Sequence, residues 1–222
     1  MQKLKALLFD LDGTLIDSEF FHFECWNEIL AESGVMLTYE DWLKNYAGIP
    51  LPANAKNLVE KYGIKTPLDE IITRRELLTL ERLKTKDVNL MPYVTEVLDF
   101  FQSKDLTLAL VTSSPRKDVE AIFERNGLSR YFKLIITRSE VSKSKPDPES
   151  YNSCVEQLGL KKEECLVFED TINGIKSAKA AGLTCIAIQQ NRADHVKLSI
   201  ADQLFVDFNE AKNYLLQNYL IN

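Results

Sequence analysis

Residues 7–17, Leu-Leu-Phe-Asp-Leu-Asp-Gly-Thr-Leu-Ile-Asp, constrain this chain more than any other stretch. Leu7, Leu8 and Phe9 form an unbroken apolar run, which suits a strand buried on both faces and not an alternating one. Asp10 falls where such a strand gives way to a loop, and Asp12 follows two residues later. In a parallel sheet that carboxyl end is where ligands gather. Two acids this close repel each other, so they either attract a divalent cation or force one of the pair to keep a proton. Gly13 lets the chain turn sharply and brings backbone N–H groups toward an anion. Standing alone, Asp-x-Asp-Gly is a common surface turn. The strand in front of it argues instead for a site.

The next seventy residues read as helices without a strand among them. Ser18 is placed to cap a helix reaching Ser33-Gly34, with Glu24, Glu28 and Glu32 as a polar stripe. Thr38 opens a second helix ending near Tyr46, and a third runs from about Pro52 to Tyr62-Gly63. Thr66-Pro67 reads as a cap followed by proline at the first helical position of a long helix. Beyond residue 88 the pattern changes. Strands at 106–111, 134–137, 166–168, 184–188 and 204–206 alternate with helices, the arrangement of a right-handed parallel sheet. The expected architecture is α/β, a Rossmann-like doubly wound parallel sheet formed by 1–16 and 89–222, with residues 17–88 inserted as an all-helical cap domain.

Chemistry-bearing residues recur at the carboxyl ends of these strands. Asp10 and Asp12 follow the first, Thr112 and Ser113 the second, and Glu169 and Asp170 the fourth. Lys145 lies in the Ser/Lys/Pro loop after the third. Each has a plain explanation alone. One of Thr112 to Ser114 is expected to cap the helix starting at Pro115, Lys145 would be a solvated charge, and Glu169-Asp170 another helix cap. Their joint placement on one edge of a sheet is what points to a site.

Composition narrows the partners. A chain of 222 residues can bury a core without staples, and its net charge of −6 disfavours nucleic acid. Cys25, Cys154, Cys165 and Cys185 form no close pair and read as reduced core thiols. Lys3 and Lys5 precede an apolar stretch that Asp10 cuts short, which makes no signal peptide, and no run reaches membrane-spanning length. A cytoplasmic protein is expected, with no membrane partner, as a monomer or weak homo-oligomer.

Phe9-Asp10-Leu11-Asp12-Gly13-Thr14-Leu15 resembles motif I of the haloacid dehalogenase-like superfamily, in its phosphatase and phosphomutase branch. Thr112 matches motif II, Lys145-Pro146 motif III, and Glu169-Asp170-Thr171-Ile172-Asn173-Gly174 motif IV, with the helical insertion where the family carries its type 1 cap. The resemblance implies Asp10 as a nucleophile forming an aspartyl-phosphate, and Asp12 as general acid and then base. It implies Mg2+ held by Asp10, the Asp12 carbonyl and Asp170, with Glu169 as the additional acid of the Glu-Asp variant. Thr112, Ser113 and the Gly13 turn would bind the phosphoryl group, and Lys145 would supply positive charge. His22 matches in spacing a histidine that β-phosphoglucomutases use to orient their general acid.

Asp12 argues against dehalogenase chemistry, in which no leaving oxygen is protonated. A β-phosphoglucomutase-type phosphomutase is the closer alternative. Its cap carries an arginine for the distal phosphate where this chain has Leu51, leaving Arg116, Arg74 or Arg75 as the cations that could serve. A phosphate-binding or partner-binding module without catalysis would have been free to lose Asp10, Asp12 or Lys145. The expected function is therefore a phosphatase for a small phosphorylated metabolite, a sugar or polyol phosphate.

Overall fold

The computed structural model describes residues 2–86 and 88–221, which divide into two compact units, one made of 1–16 with 89–222 and the other of 17–88. The first is built on a parallel six-stranded sheet. In chain order its strands are β2 (Ala6–Phe9), β3 (Thr107–Val111), β4 (Phe132–Ile136), β5 (Cys165–Glu169), β6 (Thr184–Ile188) and β7 (Gln203–Phe205). Two further strands, β1 (Gln2–Lys3) and β8 (Tyr219–Leu220), form a small parallel pair of their own. Five helices of this unit connect or flank the strands: α5 (Val94–Gln102), α6 (Arg116–Asn126), α7 (Glu149–Leu158), α8 (Ile172–Ala180) and α9 (Phe208–Asn218).

Spatial order is β4-β3-β2-β5-β6-β7. The chain lays down β2, moves outward through β3 and β4, then returns to the other side of β2 with β5. That reversal makes the gap beyond the carboxyl ends of β2 and β5 a topological switch point, where open α/β sheets leave a crevice. Register completes the placement. Phe9 stands opposite both Leu110 and Phe168, and the Asp10 N–H donates to the Phe168 carbonyl at 3.0 Å. Asp10 therefore emerges beside Glu169.

The apolar run that predicts a strand buried on both faces behaves as one, with Ala6 to Phe9 fully buried. Leu8 packs with Val111, Val167, Tyr151 and Ile175 on one side. Phe9 stacks on Phe168 at 5.0 Å and meets Phe208 at 6.0 Å. The four cysteines are buried free thiols. No described helix is long and apolar enough to cross a membrane.

The helical unit contains α1 (Glu19–Ala31), α2 (Tyr39–Asn45), α3 (Leu51–Tyr62) and α4 (Leu68–Thr85) around Trp26, Leu30, Trp42, Leu58 and Ile71. Glu24 and Glu28 on α1, and Glu32 just past its end, pair with Lys86, Arg82 and Arg74 respectively. Such surface pairs contribute about 0–1 kcal/mol each. One buried tryptophan or leucine contributes more, on the order of 1.5–3 kcal/mol, so apolar packing carries this unit.

Three capping expectations fail. Ser18 sits at the start of α1 with φ −91° and ψ −10°, and its side chain makes no capping bond, because a capping serine needs extended backbone there. Proline 67 occupies the N-cap position itself, so α4 begins at Leu68 and Thr66 caps nothing. None of Thr112 to Ser114 caps α6. Pro115 holds that position and the Arg116 N–H reaches across to Ser139 Oγ at 3.2 Å. Elsewhere the caps agree: Thr38 accepts from the Asp41 N–H, and Gly63, Gly127 and Gly159 close their helices in left-handed backbone.

Candidate active site

Lys145 is the hub of the site. Its ammonium donates to Asp10 Oδ1 at 2.6 Å, to Glu169 Oε1 at 2.6 Å and to the Val111 carbonyl at 2.7 Å. It is anything but a solvated loop charge, since its side chain is 5% exposed. The loop that carries it is shaped by a cis Lys145–Pro146 peptide, and Asp147 Oδ1 starts α7 by accepting from the Glu149 N–H. Three donor positions of one ammonium thus meet three acceptors at the carboxyl ends of β2, β3 and β5, which fixes Lys145 without help from solvent.

Glu169 is completely buried, and its partners explain why that is tolerable. Besides Lys145, Oε1 accepts from the Tyr151 hydroxyl at 2.7 Å, while Oε2 lies 3.3 Å from the Asp170 N–H and 3.4 Å from Thr171 Oγ1. Gly174 on α8 lies so close that a Cβ there would sit 1.9 Å from the Glu169 carboxyl carbon. Thr171 caps α8, accepting from the Gly174 N–H at 3.1 Å, so the plain alternative of Glu169-Asp170 as that cap does not hold.

Asp170 is held from the motif loop. Thr14 Oγ1 donates to Asp170 Oδ1 at 3.2 Å, and Gly13, with φ +78°, brings its Cα so near that a Cβ would lie 2.1 Å from Asp170 Oδ2. Only glycine fits there on both counts. Asp12 is half-buried and receives a short hydrogen bond, 2.5 Å, from Ser114 Oγ. Thr112 is buried, and its Oγ1 accepts from the Ser114 N–H at 3.0 Å. That bond aims the Ser114 hydroxyl back at Asp12.

Burial pushes the Asp10 carboxyl up to about 8, against the pull of Lys145 and with help from the negative charges of Glu169 and Asp12. Burial lowers the Lys145 ammonium, but Asp10 and Glu169 outweigh it and hold Lys145 protonated above its usual range. One lysine cannot neutralise three clustered acids. Carboxylate oxygens of Asp10, Glu169 and Asp170 lie within 4.8 Å of one another. An all-oxygen donor set of this charge fits a hard divalent cation such as Mg2+ or Ca2+. Glu169 already spends its oxygens on Lys145, Tyr151 and Thr171, so Asp10 and Asp170 are the better-placed ligands.

Asp10, Asp12, Gly13, Thr112, Lys145, Glu169 and Asp170 therefore come together. Ser113 is exposed beside them. Arg116 turns away, donating through Nε to Glu140 at 3.1 Å and through its terminal nitrogen to the Ile135 carbonyl at 2.9 Å. His22 belongs to the helical unit, where Nδ1 lies 3.2 Å from a guanidinium nitrogen of Arg75. Guanidinium only donates, so in this contact Nδ1 is the acceptor. Thr14, Ser114 and Tyr151 escaped the sequence reading. Thr14 stood inside the motif, but nothing local marks Ser114 or Tyr151 as reaching the carboxylates.

A model of the haloacid dehalogenase-like hydrolase family matches residues 7–188. The phosphorylated carbohydrates phosphatase of Thermotoga maritima is 33% identical over 180 residues, covering 81% of this chain and 82% of its own. Fructose-1-phosphate phosphatase YqaB of Escherichia coli K12 is 28% identical over 189 residues, 85% of this chain and 98% of its own. The crystal structure of CbbY from Rhodobacter sphaeroides in complex with phosphate has the same fold, with a TM-score of 0.80 at 24% identity over 93% of this chain and 96% of that one. The family match runs from the strand that delivers Asp10 to the end of β6, taking in both sides of the switch point, and this chain is a member of the haloacid dehalogenase-like hydrolases.

Proposed function

We propose that this protein is a Mg2+-dependent phosphatase acting on a small phosphorylated metabolite, a sugar or polyol phosphate, through a phosphorylated Asp10. The observation that carries the reading is the Lys145 ammonium clamped 2.6 Å from Asp10 at the mouth of the switch point, with Asp12 anchored separately by Ser114. Asp10 attacks phosphorus, an Asp10–phosphorus bond forms, and the ester oxygen leaves with a proton from Asp12. Asp12, now ionised, takes a proton from water as that water attacks phosphorus, releasing inorganic phosphate and restoring Asp10. Lys145 faces the negative charge that builds on the phosphoryl oxygens, and Thr112 and the Gly13 turn supply hydrogen-bond donors. Glu169 and Tyr151 act through Lys145 by fixing its position. The divalent ion, held by Asp10, Asp170 and the Asp12 carbonyl, would neutralise charge on the substrate phosphate. The two relatives named for carbohydrate and fructose 1-phosphate hydrolysis support the substrate class.

A phosphomutase would need a cation for a second phosphate. Leu51 starts α3 and packs against the apolar core of the helical unit. The three arginines that could replace the missing cation are all committed: Arg116 to Glu140, Arg74 to Glu32, and the buried Arg75 to Thr79, His22 and the face of Trp26. Purified enzyme is expected to release inorganic phosphate from sugar monophosphates with no bisphosphate activator. Conversion of β-glucose 1-phosphate to glucose 6-phosphate far faster than phosphate release would overturn this reading.

Metal dependence has a pH signature. Because burial raises Asp10 to about 8, a proton competes for the same carboxylate below that pH. Mg2+ affinity measured by calorimetry is expected to be roughly tenfold or more weaker at pH 6.5 than at pH 8.5, with more proton release on binding at the lower pH. Activity is expected to vanish with a chelator and return with Mg2+. Equal affinity at both pH values, or full turnover in metal-free buffer, counts against the site described.

A further inference from the structure

A cavity of about 300 Å³ opens at the other end of the sheet. It is lined by residues that start β3, lie within β4 and precede β2, whereas Asp10 and Thr112 follow the far ends of β2 and β3. From Lys5 to Asp10 is five residues of extended chain, roughly 16 Å at about 3.3 Å per residue. A molecule in this cavity is not the substrate of Lys145.

Its lining is unusual for a chain of net charge −6. Lys3, Lys5, Lys104 and Lys133 converge on it against a single acid, Asp105. Lys5 is partly neutralised by Glu164 at 2.6 Å. Among the described residues, Lys3, Lys104 and Lys133 have no carboxylate at ion-pairing distance; Lys104 only lies over the ring of Phe100, at 5.8 Å. Several like charges lining one concavity raise its potential and concentrate counter-ions there. The same lining carries four leucines, Leu4, Leu106, Leu158 and Leu160, the last two half-buried. The volume is at the lower end of ligand cavities and exceeds what inorganic phosphate fills.

We propose that this cavity is a second binding site, for a phosphorylated organic anion whose body rests on the leucine wall while its phosphates meet the lysines. The site is independent of the catalytic carboxylates and needs no metal.

ADP without divalent cations is the probe, titrated into the full-length protein while backbone amide shifts are followed by NMR. Saturable shifts are expected at Leu106, Thr107 and Lys133, and tighter binding than inorganic pyrophosphate shows. The double variant Lys104→Ala with Lys133→Ala, both side chains outside the catalytic cluster, is expected to weaken ADP about tenfold or more and leave phosphatase turnover unchanged. Shifts confined to Gly13 and Thr112, or an unaltered dissociation constant in the double variant, would overturn the proposal. Pyrophosphate binding as tightly as ADP would overturn the organic class of the ligand.

Discussion

Asp10→Asn is expected to remove turnover almost entirely, by about 10⁴-fold or more, while leaving the fold intact. Asparagine matches aspartate in shape, and Lys145 retains Glu169 and the Val111 carbonyl as acceptors. What disappears is the oxygen nucleophile and with it any covalent phosphoenzyme. Stability should respond in a defined direction. The Asp10 carboxyl is raised from 3.8 to about 8 on folding, so its contribution is fully present below pH 3.8 and is lost as pH rises through about 8. In metal-free buffer the variant is therefore expected to lose less stability than the wild type between those limits. Rapid-quench phosphorylation, steady-state rates and urea melts across pH test all three points. Wild-type-like rates in the variant would refute the mechanism.

Gly174→Ala is the second large effect, and it touches none of the reacting atoms. The new methyl group would lie 1.9–2.0 Å from the carboxyl atoms of Glu169, which is fully buried and has no room to withdraw. Glu169 must move by an ångström or more, and it carries Lys145 and Tyr151 with it through contacts of 2.6 and 2.7 Å. A misplacement of that size near reacting groups costs on the order of 10²-fold in rate. Overpacking together with a disturbed buried ion pair costs about 3 kcal/mol or more of stability. Both losses should appear in one protein: a fall in kcat with little change in KM, and a lower urea midpoint. Activity within twofold of wild type would show that Glu169 does not hold Lys145 in place.

These two substitutions differ in how visible they were beforehand. Asp10 announces itself because a strand buried on both faces ends in an acid, and that pattern is local. Gly174 stood at the end of the motif IV match, but nothing in the sequence said what a side chain there would meet. Its role comes from the packing of α8 on β5, which brings one Cα against one carboxylate. Arg116 shows the reverse case. Its position after Thr112 suggested phosphate, but β4 brings the Ile135 carbonyl and Glu140 within its reach, and a charged group this near a partner is spent on it.

Local sequence settled what depends on neighbours along the chain: which longer segments are strands or helices, where Thr38 starts a helix and Gly63 ends one, and that carboxylates and hydroxyls lie at strand termini with a lysine in a following loop. It failed at Ser18 and Thr66, because capping requires a backbone geometry that tertiary packing sets. The two-residue pair of β1 with β8 was too short to leave a pattern. Strand order was not written locally either, and it decides the chemistry. Placing β5 next to β2 puts Glu169 and Asp170 beside Asp10, and placing β3 on the other side lets Ser114 reach Asp12 across 102 positions of sequence. Hydrogen bonds between residues so far apart form only once sheet register has fixed both ends, and for that reason only the tertiary structure decided which carboxylate each donor serves.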